Sequence, residues 1–183
     1  MSECRGFYSW CFGFTFLLGL TTLFLWLSLR PQNPSYDLID FYSPALDIAS
    51  NSPNTTRNTT ILFQLKISNP NKDSGIHYDA INVSLYYKEK KIGESNVQGF
   101  YQGHKKTAKK SVVIAAANEL FWEAASLEVL NRTAVFRVDL VIGLRFKVVW
   151  ANTRHKGVEV AGHVPVGVDG KMVAGKKKRI KLK

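Results

Sequence analysis

Four histidines, His77, His104, His155 and His163, are the first residues to test for chemistry. One of them lies in the densest polar stretch of the chain, "FYQGHKKTAKK", Phe100 to Lys110. An imidazole among lysines could serve as a general acid or base, and the lysines could hold phosphates. Catalysis by metal would need more, such as paired cysteines or an H-E-x-x-H helix, and neither occurs. There is no G-x-S-x-G elbow and no phosphate loop. Carboxylates are few and dispersed. The chain is therefore expected to be no enzyme and to carry no cofactor or metal, with His104 a turn residue.

The lysines must be read by position. The net charge is +11. Seven Lys/Arg and no acid fall in residues 171–183, among them Lys176, Lys177, Lys178, Arg179, Lys181 and Lys183. Only +3 remains for residues 31–170, so the basicity belongs to a tail and not to a domain face. Such charges suit acidic polysaccharide or an anionic lipid surface, or are simply solvated.

The N-terminus decides which partners are within reach. Gly6 to Leu29, "GFYSWCFGFTFLLGLTTLFLWLSL", holds no charge. As a helix it would measure about 36 Å, enough for a hydrocarbon core of about 30 Å. Eleven Leu or Phe between Trp10 and Leu29 favour insertion. "LWLSLRP" offers no small-x-small cleavage site, so an uncleaved signal anchor is expected. Arg5 and Arg30 leave the orientation open, but four sequons at Asn54, Asn58, Asn82 and Asn131 favour a glycosylated domain outside. Both cysteines, Cys4 and Cys11, sit at the membrane edge, where they are either acylated or inert thiols. Outside the cell, nucleic acid is not expected as a partner.

The elements that must position these residues follow the same pattern. Prolines in "RPQNPS" break the helix. Residues 58–68 then alternate, burying Ile61, Phe63, Leu65 and Ile67. "INVSLYY" (81–87) pairs across the "KEKK" turn with 92–97. Residues 135–149 place Phe136, Val138, Leu140, Ile142, Leu144, Phe146 and Val148 on one side, with Gly143 a bulge or bend. Residues 157–166 form another strand, closed by an Asp169-Gly170 turn. Residues 116–130 read as one short helix with Asn118 as N-cap. The fold class is mainly β: a single transmembrane helix, then an antiparallel β-sandwich. The expected divisions are 1–8 cytosolic, 9–29 membrane, 30–57 stalk with a first strand and glycosylated loop, 58–170 sandwich, and 171–183 basic tail.

Three segments, "LTTLFLWLSLR" (20–30), "NPNKDSGIHYDAI" (69–81) and "FYQGHKKTAKK" (100–110), resemble the plant NDR1/HIN1-like family, and "AVFRVDLVIGLRFKVVWANTRHKGVEV" (134–160) extends the resemblance. Its specific part is Asn69-Pro70-Asn71 followed by Phe100-Tyr101-Gln102-Gly103-His104-Lys105 behind a signal anchor. The resemblance implies a late-embryogenesis-abundant type 2 (LEA_2) domain, a seven-stranded sandwich similar to fibronectin type III. It implies a non-enzymatic plasma-membrane glycoprotein of plant defence, acting in the hypersensitive response to bacterial pathogens and in adhesion of membrane to wall. Its implied partners are the plasma membrane and a cytosolic immune regulator met by the N-terminus; the lysine charges, read by themselves, add acidic cell-wall polysaccharide. The alternative is a dehydration-protective, membrane-stabilising protein of late-embryogenesis type. The chain stops after "KKKRIKLK" without an apolar tail, so the N-terminal span is expected to anchor it alone.

Overall fold

The structure is a computed structural model that describes residues 2–48, 59–116, 119–131, 133–148, 151–173 and 179–183. The chain divides into two compact units, Met1–Gln32 and Asn33–Lys183. The first holds helix α1 (Ser2–Leu29). Within it Gly6–Leu27 is long and apolar enough to cross a membrane, with a mean hydropathy of 1.8. Its Thr15, Thr21 and Thr22 hydroxyls bond back to carbonyls one turn earlier, which satisfies them without water.

The second unit is two antiparallel sheets over one core. In sheet A, β1 (Ser35–Asp47), β2 (Thr60–Ser68) and β6 (Thr107–Ala115) lie in that order. The free side of β1 takes two short strands, β10 (Asp169–Lys171) and β11 (Ile180–Leu182). In sheet B, β3 (Ser74–Tyr87) pairs with β7 (Ala134–Val148). The outer side of β3 takes β4 (Lys90–Val97) and β5 (Phe100–Gln102). That of β7 takes β8 (Ala151–Asn152) and β9 (Lys156–Val166).

Alternation explains the core. Ile61, Phe63, Leu65 and Ile67 of β2 are buried, as are the six alternating apolar residues of β7 from Phe136 to Phe146. The Phe41 ring stacks on Phe63 within sheet A and lies 5.6 Å from Phe136 of sheet B. Helix α2 (Glu119–Asn131) buries Phe121, Trp122, Ala125 and Val129, with Phe121 against Tyr87 and Phe136. The buried indole is satisfied, since Trp122 Nε1 donates to the Ala116 carbonyl at 3.0 Å. The expected cap at Asn118 lies outside the described residues.

The structure differs from the sequence pattern in several places: Lys90 and Lys91 of the expected "KEKK" turn open β4, and Asp169 and Gly170 of the expected turn lie in β10. The sandwich begins at Ser35, ahead of the boundary expected at 58, because β1 is an inner strand of sheet A. The expected irregularity at Gly143 sits on the facing strand: Asp79 and Ala80 bulge out of β3, and Gly143 is the space they turn into. A Cβ on Gly143 would meet Asp79 Oδ2 at 2.5 Å and His155 Nε2 at 2.6 Å. Lastly, part of the expected tail is strand. Ile180 and Leu182 alternate with Arg179, Lys181 and Lys183, and Leu182 reaches the core at 3% exposure. Lys183 and Ala161 exchange backbone hydrogen bonds of 2.9 and 3.0 Å, so β11 joins β9 of sheet B to β1 of sheet A. Leu182 occupies the place a side chain at Gly162 would take.

Candidate functional site

The two motifs that looked most specific meet in one corner. The first is the connection from β2 to β3, Asn69 to Asp73. The second is the turn from β5 to β6, Gly103 to Lys106. Asn69 organises the first: its Oδ1 accepts from the Asn71 backbone N–H at 3.0 Å and from Asn71 Nδ2 at 2.9 Å. This is an Asx turn, and Pro70 between them fixes φ and brings no N–H that needs a partner. Asn69 Nδ2 then donates to the Ser74 carbonyl at 2.8 Å and across to the Gly103 carbonyl at 3.1 Å. The backbones lock in the same sense, with Asn69 N–H to Lys106 O and Lys105 N–H to Asn71 O, each 2.9 Å.

Gln102 is the second keystone. Its Nε2 donates to the Ile67 carbonyl at 2.9 Å and the Lys106 carbonyl at 3.0 Å. Its Oε1 accepts from the Tyr78 hydroxyl at 2.9 Å. Burial, reinforced by nearby Tyr36, pushes the Tyr78 hydroxyl well above the usual phenol range, so it stays a neutral donor. Gln102 thereby ties β5 of sheet B to β2 of sheet A. The sequence pattern puts Gln102-Gly103 in the turn; instead Gln102 ends β5 at 4% exposure and the turn runs from Gly103 to Lys106. Lys105 takes φ 53° there, a left-handed conformation that the two flanking backbone bonds hold in place.

The aromatic pair splits. Phe100 is half-buried and stacks on Tyr78 at 4.7 Å, and Lys110 Nζ lies 4.3 Å from its ring centre. Tyr101 is 52% exposed, covering Gly75 and touching the His77 ring at 4.5 Å. Phe100→Ala is expected to lower stability by about 2 kcal/mol through lost stacking and burial. Lys105→Ala should leave the melting temperature nearly unchanged, and thermal unfolding of both variants checks the contrast.

His104 is exposed on the turn and makes no side-chain hydrogen bond among the described residues. Among those residues no three His, Cys, Asp or Glu stand where they could hold a metal. The remaining candidates are scattered. Asn82 is exposed in the middle of sheet B, its Oδ1 accepting from Asn96 Nδ2 at 2.8 Å. Asn131 ends α2, donating to the Leu127 carbonyl at 3.1 Å. Cys11 is a free, partly exposed thiol on α1, and Cys4 is on the same helix. Arg179 lies 3.7 Å from Asp37. Asn54, Asn58, Lys176, Lys177 and Lys178 fall outside the described residues.

Sequence reasoning missed one charged cluster. At the β3 bulge, Asp79 Oδ2 meets His155 Nε2 at 2.5 Å and its Oδ1 meets Arg145 Nη2 at 3.2 Å. The His155 hydrogen bond, and then the Arg145 charge, hold the Asp79 carboxyl below the usual range. The partners are 66 and 76 residues apart in sequence, and no local pattern announces them.

The profile described as LEA_2, late embryogenesis abundant protein, matches residues 64–162. Protein NDR1 of Arabidopsis thaliana is 43% identical over 182 residues, covering 94% of this chain and 80% of that protein. NDR1/HIN1-like proteins 2 and 10 of the same plant are 31% and 27% identical, over 68% and 72% of this chain. The chain spans only 53% and 58% of the length of those two. Both motifs of the corner fall inside the matched span, whereas β1, β10 and β11 fall outside it.

Proposed function

The chain belongs to the NDR1/HIN1-like family of LEA_2 proteins, and from that membership we propose that it is a plasma-membrane protein of plant defence that acts by binding and not by catalysis. The observation that carries the reading is the 43% identity to Protein NDR1 across 94% of the chain, which takes in the apolar helix as well as the sandwich. In this reading α1 spans the membrane with its first residues in the cytosol, where they contact an immune regulator. The sandwich, taken as fibronectin type III-like, faces the wall and carries glycans on its sequons. Its cations meet acidic wall polysaccharide. Cys4 and Cys11 are candidate acylation sites at the membrane edge.

The orientation is tested in sealed vesicles from plant cells. Glycosidase treatment should lower the apparent mass, and external protease should spare the sandwich when the vesicles are right for it. Full digestion of the sandwich from the cytosolic side would overturn the orientation. A second reading, prompted only by the match to a family described as late embryogenesis abundant, is a stress-protective protein that stabilises membranes under dehydration. Disrupting the gene separates the two. The defence reading expects a lost hypersensitive response with normal dehydration tolerance; the reverse pattern favours the second.

A further inference from the structure

The outward face of sheet A carries a row of register partners that crosses four strands: Lys181 on β11, Asp37 on β1, Lys66 on β2 and Lys109 on β6. Lys66 and Lys109 stand directly opposite one another. Neighbouring strands are only about 4.8 Å apart, and like charges in that position are destabilising. Asp37, opposite Lys66 on its other side, offsets part of that repulsion. Among the described residues neither lysine has a carboxylate within ion-pair distance, and Asp37 is largely covered and already faces Arg179. The row therefore presents Lys66 and Lys109 side by side with one largely covered carboxylate next to them, an arrangement that favours an anion over the sheet.

The neighbouring rows are hydrogen-bonding groups. On one side Ser68 and Thr107 face each other, their hydroxyls 3.2 Å apart. On the other are Gln64 and Ser111. Beyond Thr107 the locked corner presents Lys105 and Lys106, both exposed. The exposed apolar pair Leu62 and Val113 lies beyond the Gln64–Ser111 row, so no apolar side chain interrupts the cationic strip itself.

We propose that this strip of sheet A is a binding site for an acidic polysaccharide, with uronate carboxylates on Lys66 and Lys109 and sugar hydroxyls on the flanking Ser, Thr and Gln side chains. Lys105 and Lys106 extend the track for an extended polymer. The inference rests on the reading that the sandwich meets an acidic polymer, and it moves the contact from the basic tail to the sheet. It also gives the corner a task, since the locked turn holds Lys105 and Lys106 beside the row.

The test uses the full chain in zwitterionic nanodiscs with polygalacturonate as the probe. Wild type should bind, and added salt should weaken binding. Lys66→Gln with Lys109→Gln should weaken binding about tenfold at low salt without lowering the melting temperature, because the repulsion is removed. Lys176→Gln, Lys177→Gln and Lys178→Gln together should change it less. Equal binding by wild type and the sheet variant would overturn the site while leaving the wall-facing reading intact. No binding by wild type would overturn both. Equal loss of binding to phosphatidylserine vesicles would show a general anion surface and overturn the assignment to polysaccharide.

Discussion

Asn69→Ala is expected to destabilise the sandwich by about 3 kcal/mol, measured by chemical denaturation followed through tryptophan fluorescence. The size follows from what the side chain leaves behind. Asn69 is 3% exposed and its side chain makes four hydrogen bonds. Alanine would take one partner each from the Ser74 and Gly103 carbonyls, the Asn71 N–H and the Asn71 amide in a site with little access to water, and the Gly103 carbonyl would keep only its longer bond from the Lys106 N–H. A buried group left unsatisfied costs about 1–3 kcal/mol, and the remaining partners and relaxation of the turn recover part of the sum. Asn69→Asp keeps the acceptor but sets a carboxylate against two carbonyls. It should be at least as damaging, which a purely steric role for Asn69 would not produce. A loss under about 1 kcal/mol in both variants would mean that the corner rearranges freely.

The second large effect belongs to the C-terminal strand. Leu182→Ala should cost about 2–4 kcal/mol, because a buried leucine is lost where two strands of different sheets meet. Its side chain fills the place opened by Gly162, and its neighbour Lys183 bonds to Ala161. Lys181→Gln, on the outward side of the same strand, should be within about 0.5 kcal/mol of wild type. The pair separates strand from charge. Removing residues 176–183 would delete β11 along with the lysines, so truncation cannot measure what the charges do.

These two cases also mark what was legible in the sequence. β2 and β7 were readable because one face is buried along their whole length, and Ile61 to Ile67 and Phe136 to Phe146 alternate without a break. The motif residues were readable as a set, but not their role. Asn69 and Gly103 are 34 positions apart, and only the pairing of β2 with β6 brings them within hydrogen-bond distance. Gln102 beside Gly103 has the composition of a turn, yet its burial depends on Tyr78 and Ile67, which belong to different sheets. β11 was hidden by charge. In "RIKLK" the period-two signal is two residues, too few to stand out against a run of lysines. The Lys66–Lys109 pair was hidden for the opposite reason, since each lysine sits singly in an ordinary alternating strand until register sets them together.

The central claim is that the family motifs build one interlocked corner that the sandwich holds rigid and that carries its lysines as fixed charges. Native-state hydrogen exchange at the backbone amides of Asn69 and Lys105 tests this most directly. Both lie in connections between strands, where free loops exchange quickly. Their bonds to Lys106 O and Asn71 O predict protection close to that of the core strand β7, lost together in Asn69→Ala. Exchange at the rate of an open loop in the wild-type chain would contradict it.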